Sequence, residues 1–238
     1  MRETFIHLRR PRVRDIAVPA AITAAVSGGV VLLATYAHSD ESLDARIASD
    51  VVDLRNASLT RGAHLLTFAG SEAVIGLLAL LLIISLLQRR GPLYAGLAAL
   101  AMAVSAVLTV GVKLVVARDR PGGTVRLGVV DHSYSFPSGH TLNSAVFLGL
   151  VVLLLLPLVA SRAVRVVATL VALALAAGIG WSRVYLGYHW ATDVITSWLI
   201  AVAILTIVHA VTHLDVSTGA PKVAHCCGGQ DRTRSVST

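Results

Sequence analysis

The chain has 238 residues, of which 55% are hydrophobic and only 14% charged, against roughly 25% charged in an average soluble domain. That composition excludes an ordinary soluble enzyme, and disordered, collagen-like and coiled-coil chains with it. The 20 Lys and Arg outnumber the 13 Asp and Glu to give a formal charge of +7, yet nothing resembles a base-stacking or groove-reading module, so nucleic acid is not an expected partner.

Along the chain, six uninterrupted apolar stretches occur at about 16–37, 65–87, 92–116, 142–160, 163–181 and 190–211, each near the roughly 20 residues a helix needs to cross a bilayer. The expected fold class is therefore all-α, a polytopic membrane protein with six transmembrane helices. One membrane domain, 16–212, lies between a basic arm, 1–15, and a disordered tail, 213–238, rich in Ser, Thr, Gly and charge. Arg9, Arg10, Arg12 and Arg14 precede the first stretch as they would in a signal peptide, but the apolar run exceeds the usual h-region and no A-x-A site follows. It is read as a span.

Between the first two spans, 38–64 carries Leu43, Ile47, Val51, Val52 and Leu54 among charges, which predicts a short amphipathic helix lying on the interface or packed over the bundle, with packing the expected role. Asn56-Ala57-Ser58 matches a glycosylation sequon, a weak three-residue signal. In the second span Glu72 is an intramembrane acid, open to two readings: a hydrogen bond within the protein, or a contact near a lipid opening. Gly70, Gly76, Gly178 and Gly180 are read as sites of close helix packing. The turns 88–91 and 161–165 are tight hairpins. Cys226 and Cys227 are adjacent, so they cannot staple distant parts of the fold; they read as a cytosolic pair, with lipidation as the alternative.

Orientation follows from the loop charges. With both termini inside, the N-terminal arm, the two hairpins and the tail hold 12 Lys and Arg, and the other side holds 8. The inner turns are short and free of acids, so the positive-inside rule places both termini in the cytoplasm.

Two outer loops hold the polar residues that anchoring does not explain. One contains Lys113, Arg118, Arg120 and Arg126, then the run Ser133-Tyr134-Ser135-Phe136-Pro137-Ser138-Gly139-His140; the other contains Ser182-Arg183, His189 and Asp193. Arg118 and Arg126, taken singly, read as interface anchors. Lys113 and Arg120 are seven apart, so they share a face if the third helix continues that far. Pro121 then ends the helix or forces Arg120 out of it. Ser138 and Gly139 precede the fourth apolar run, where free backbone N–H groups and the positive helix end would cradle an anion. His189 and Asp193 are spaced i, i+4, so the carboxylate can take one ring N–H and leave the other nitrogen as nucleophile or base.

In this order and spacing the motifs (Lys113, six residues, Arg120-Pro121; Pro137-Ser138-Gly139-His140; Ser182-Arg183, five residues, His189, three residues, Asp193) resemble the type 2 phosphatidic acid phosphatase family. The resemblance covers about 65–212, with no departure at any motif position. Its wider superfamily includes soluble bacterial acid phosphatases and vanadium-dependent haloperoxidases. The resemblance implies that Lys113, Arg120 and Arg183 bind phosphate oxygens, with Ser138 and Gly139 donating hydrogen bonds. It implies further that His189 is the nucleophile, His140 the acid that protonates the leaving alkoxide, and Asp193 the group that orients His189.

The expectation is a metal-independent, cofactor-free hydrolase of a lipid phosphate, of the phosphatidate, phosphatidylglycerol phosphate or undecaprenyl diphosphate class. It would act on the outer face of a bacterial plasma membrane through a phosphohistidine. No carboxylate cluster or His-x-x-x-His pair accompanies the two histidines to suggest a metal. Two rivals are weighed: a non-hydrolytic lipid-phosphate binding or transport protein, and a vanadate-dependent oxidase, against which the six spans argue. Expected partners are the lipid phosphate and the surrounding lipids.

Overall fold

The structure, a computed structural model, describes residues 13–39 and 42–218. The basic arm up to residue 12 and the tail beyond 218, with the cysteine pair, lie outside the described residues. Among the described residues, eight α-helices follow one another: α1 (Val13–Ser39), α2 (Ser42–Asp53), α3 (Ala57–Ala69), α4 (Glu72–Arg90), α5 (Pro92–Val116), α6 (Gly139–Leu150), α7 (Arg162–Tyr185) and α8 (Ala191–Thr218). No strand occurs among the described residues. Six of the helical segments are long and apolar enough to cross a membrane, α6 being extended by a π turn (Val151–Leu155) and a 3-10 turn (Leu156–Leu158). The chain is an all-α, multi-pass integral membrane protein.

Two boundaries differ from those expected. The apolar run from 65 is not one span with 72–87, and 38–64 holds, besides a short helix packed over the bundle, the start of a second one. Instead α2 and α3 form an outer pair, and α4 starts afresh at Glu72. The break has a local cause. Ser71 caps α4 by accepting from the Val74 N–H, with Glu72 complementing the positive helix end. Gly70 lies so close to α7 that a Cβ there would sit 2.5 Å from Cγ2 of Ile179. Asn56 of the sequon is the N-cap of α3, accepting from the Ser58 and Leu59 N–H groups. At the other end α8 continues through Thr218, past the expected limit of 212.

The core is built around α6, whose Leu142, Val146 and Leu150 are fully buried against Leu82 and Leu86 of α4 and Ile204 of α8. Because lipid tails are as apolar as leucine, close approach rather than hydrophobic burial holds such a bundle together. Gly180 shows this, since a Cβ there would meet the Trp198 ring at 2.5 Å. Gly76 does not, for it faces open space. Over one end of the bundle, Arg55 binds the carbonyls of Val125 and Tyr185, clamping the α2–α3 pair to the α5–α6 loop and to the end of α7, where the α7–α8 loop begins. Those loops touch where Gly187 adopts φ +72°, with the Val125 carbonyl where a side chain would begin. Only glycine fits there.

Candidate active site

The motif residues come from four helix ends at one end of the bundle and from the loops beside them: the last turns of α5 and α7, the starts of α6 and α8, and the loops that hold Arg120 and His189. Lys113 projects from the end of α5, and its ammonium reaches the Ser133 hydroxyl at 3.4 Å and the Tyr134 carbonyl. Arg120 does not share its helical face as expected. The helix stops at Val116, and Ala117 turns left-handed at φ 49°, which costs a non-glycine residue about 1 kcal/mol. Arg120 then lies in the following loop and returns to the same place. Its Nε donates to the Ser133 carbonyl at 2.7 Å, one terminal nitrogen donates to the Ser133 hydroxyl at 2.9 Å, and the other donates to the Tyr188 carbonyl at 2.7 Å.

Ser138 and Gly139 sit where the sequence places them. Ser138 is the N-cap of α6, its hydroxyl accepting from Thr141, while the first-turn N–H groups of Gly139 and His140 have no intrahelical acceptor. Gly139 is buried so tightly that a Cβ would lie 2.9 Å from Thr109. Arg183, buried in the last turn of α7, donates to Thr67 of α3 at 2.5 Å, and its guanidinium lies 4.3 Å from the centre of the Tyr188 ring.

His189 is not on a helix, contrary to the i, i+4 reading, because α8 begins only at Ala191. The pairing forms regardless. Asp193 is the third residue of α8 and reaches back to accept the Trp190 N–H at 3.0 Å, as the acid of a capping box does. The same oxygen lies 3.3 Å from Nδ1 of His189. His189 is almost completely buried, and burial holds its imidazole well below the usual histidine range, helped by the charges of Arg183, Arg120, Lys113 and His140. It is a neutral ring. His140, half-buried in the first turn of α6, belongs to the same electrostatic cluster.

Several site residues escape a reading of motifs. Arg118, expected to anchor at the interface, is 3% exposed and joins two carboxylates, Asp193 at 2.8 Å and Asp44 at 2.8 Å. Asp44 of α2 is itself buried and accepts the Thr192 N–H at 3.1 Å and its hydroxyl. A signal was present: Asp44 shares a helical face with Ala48, and an acid on the apolar face of an amphipathic helix needs a buried partner. Asp131 was also passed over. It pairs with Arg120 at 2.6 Å and accepts from Ser133, and these bonds hold its carboxyl below the usual range against the opposing effect of burial.

Three cations, a helix N-terminus and two histidines therefore meet at one end of the bundle. A profile of the PAP2 superfamily matches residues 94–216, more than half of the chain and all of these motifs. The chain belongs to the PAP2 superfamily. Its fold is similar to that of a transmembrane PAP2-type phosphatidylglycerolphosphate phosphatase from Bacillus subtilis, with a TM-score of 0.71 and 24% identity over 80% of this chain and 96% of that one. Comparison with curated proteins returned no significant match. This PAP2 protein therefore combines the superfamily's motifs with a multi-pass membrane fold.

Proposed function

We propose that this PAP2 phosphatase hydrolyses the phosphate of a membrane lipid, with His189 as nucleophile and His140 as acid and base. The observation that carries the lipid half of this reading is a groove of about 480 Å³ between α4 and α5. Its mouth holds Glu72 and Thr109, the two side chains nearest Gly139 at the head of α6. From there it runs along apolar side chains such as Ile75, Ala79, Ile83 and Met102. A lipid tail would lie in this groove with its phosphate over the first-turn N–H groups of α6. Glu72 stands exposed at the mouth, which favours the lipid-opening reading of this acid over a structural one. The phosphatidylglycerolphosphate phosphatase of similar fold supports a phosphatidylglycerol phosphate or a related lipid monoester as substrate; a polyprenyl diphosphate presents the same terminal phosphate.

The chemistry follows from the donors. Lys113, Arg120 and Arg183, with the Gly139 and His140 N–H groups, neutralise the phosphoryl oxygens as charge builds on them. Nε2 of His189 attacks phosphorus, the P–O bond to the lipid alkoxide breaks, and His140 gives that oxygen its proton. His140 then takes a proton from water, whose oxygen displaces His189 to release phosphate. Asp193 holds Nδ1–H and stabilises the positive ring as it forms. Arg118 and Asp44 act one step further out, fixing Asp193.

The test is phosphate release by purified protein in chelator, against phosphatidate, phosphatidylglycerol phosphate and undecaprenyl diphosphate. Turnover of a lipid, with vanadate as competitive inhibitor, supports the reading; tight lipid binding without released phosphate returns the binding-protein alternative. We place the site on the outer face from the loop charges. Impermeant thiol labelling of Val129→Cys but not of Gly91→Cys in intact cells supports that placement, and the reverse pattern overturns it.

A further inference from the structure

A mainly apolar cavity lies toward the other end of the bundle. It is an open groove of about 630 Å³ between α6, α7 and α8, with Ile22 of α1 at its edge, a volume within the about 300–1,000 Å³ typical of ligand pockets. A second cavity of about 460 Å³ continues it, since Val152 of the π turn and Thr169 of α7 line both. The π turn and Pro157 interrupt the regular end of α6 here, and both Leu156 and Pro157 form part of the wall. π turns of this kind recur at functional sites.

The two cavities show a gradient of polarity along one direction. Arg162 and Arg165 stand at the end farthest from the active site, Thr169, Thr206 and His209 come next, and beyond them the lining is apolar up to Trp198. Along α7, Arg165, Thr169, Ala172 and Ala176 form one stripe at i, i+4, i+7 and i+11, which covers about 16 Å. That is close to half of a hydrocarbon core about 30 Å thick, the depth of one leaflet. Small side chains at Ala145, Gly149, Ala172 and Ala176 create the room. No Asp or Glu lines either cavity, and neither guanidinium has a carboxylate partner among the described residues.

We propose that this continuous cavity is a binding site for an anionic glycerophospholipid of the leaflet opposite the active site. Arg162 and Arg165 hold its phosphate, the threonines and His209 face its glycerol and ester region, and the apolar chamber takes an acyl chain. Charge complementarity selects this occupant. A zwitterionic lipid brings its own cation to the two arginines, and a second protein copy would need an acidic helix end to satisfy them. Basic pockets between transmembrane helices bind anionic headgroups on the same physical grounds. The site is separate from the groove between α4 and α5 and shares no lining residue with it.

Trp198 lines the chamber and can report on it. Trp181→Phe/Trp190→Phe leaves it as the only tryptophan of the three. In phosphatidylcholine vesicles, phosphatidylglycerol with brominated chains should quench Trp198 at a mole fraction on the order of tenfold below that needed with brominated phosphatidylcholine. R162Q/R165Q should bring the two lipids within about twofold of each other, whereas R162K/R165K keeps the preference because charge is retained. Ala176→Phe, which fills the chamber, should weaken quenching by both lipids. Equal quenching by the two lipids without the arginine changes, a preference that survives R162Q/R165Q, or no quenching by either would each overturn the proposal.

Discussion

A terminal N–H nitrogen of Arg120 lies 3.3 Å from Nε2 of His189. A guanidinium can only donate, so in this contact Nε2 is the acceptor and carries no proton. The ring's proton is then on Nδ1, which donates to Asp193. The contact therefore favours the tautomer that the proposed attack by His189 requires.

The first prediction concerns pH. Burial and nearby cations hold the His189 imidazole well below the usual histidine range near 6.5. The free enzyme should therefore keep its nucleophile unprotonated, and the acid limb of kcat/KM set by His189 should fall below 6.5. Arg183→Gln removes a positive charge, which makes imidazolium less unfavourable and should raise the His189 pKa. An NMR titration with ring-labelled histidine reads this directly; an unchanged or lowered value in Arg183→Gln would contradict the electrostatic account.

A second prediction tests the outer carboxylate. Asp44→Asn keeps the size of the side chain but removes the charge that faces Arg118 and Thr192. Turnover should fall by about 10–100-fold, the usual size for partners that orient an active group from one remove, with little change in KM. A change confined to thermal stability, with kcat intact, would make Asp44 a fastener of α2 and nothing more.

Much of this arrangement was legible before the structure. Length and hydropathy gave six spans because a bilayer demands them, and the helix cap at Ser138 was readable because capping is a local matter. What stayed hidden was non-local. Arg120 leaves the helix because Ala117 turns left-handed, a departure that spacing by 3.6 residues cannot express. The link from Asp44 to Asp193 through Arg118 joins residues nearly 150 positions apart. The break at Gly70 depends on Ile179, on a helix more than 100 residues later.

Asp131 supplies a third prediction, because it occupies Arg120, a residue proposed to bind the phosphate. The pair is partly exposed, so its net worth is about 0.2–1 kcal/mol. Asp131→Asn should tighten vanadate inhibition by about two- to fivefold, as an incoming anion no longer displaces a carboxylate. Weaker inhibition would mean that Asp131 organises the cation cluster rather than competing for it.

The division of labour between the two histidines is tested most directly by rapid quench with ³²P-labelled substrate, trapping the phosphoenzyme under base. Wild-type protein should show an acid-labile phosphoprotein that forms and decays within turnover. His189→Ala should show none. His140→Ala should form it slowly from a lipid monoester but readily from p-nitrophenyl phosphate, whose leaving group needs no acid, and should then hold it because no base activates water. Phosphoprotein in His189→Ala, or formation in His140→Ala that ignores the leaving group, would contradict the assignment of nucleophile and acid.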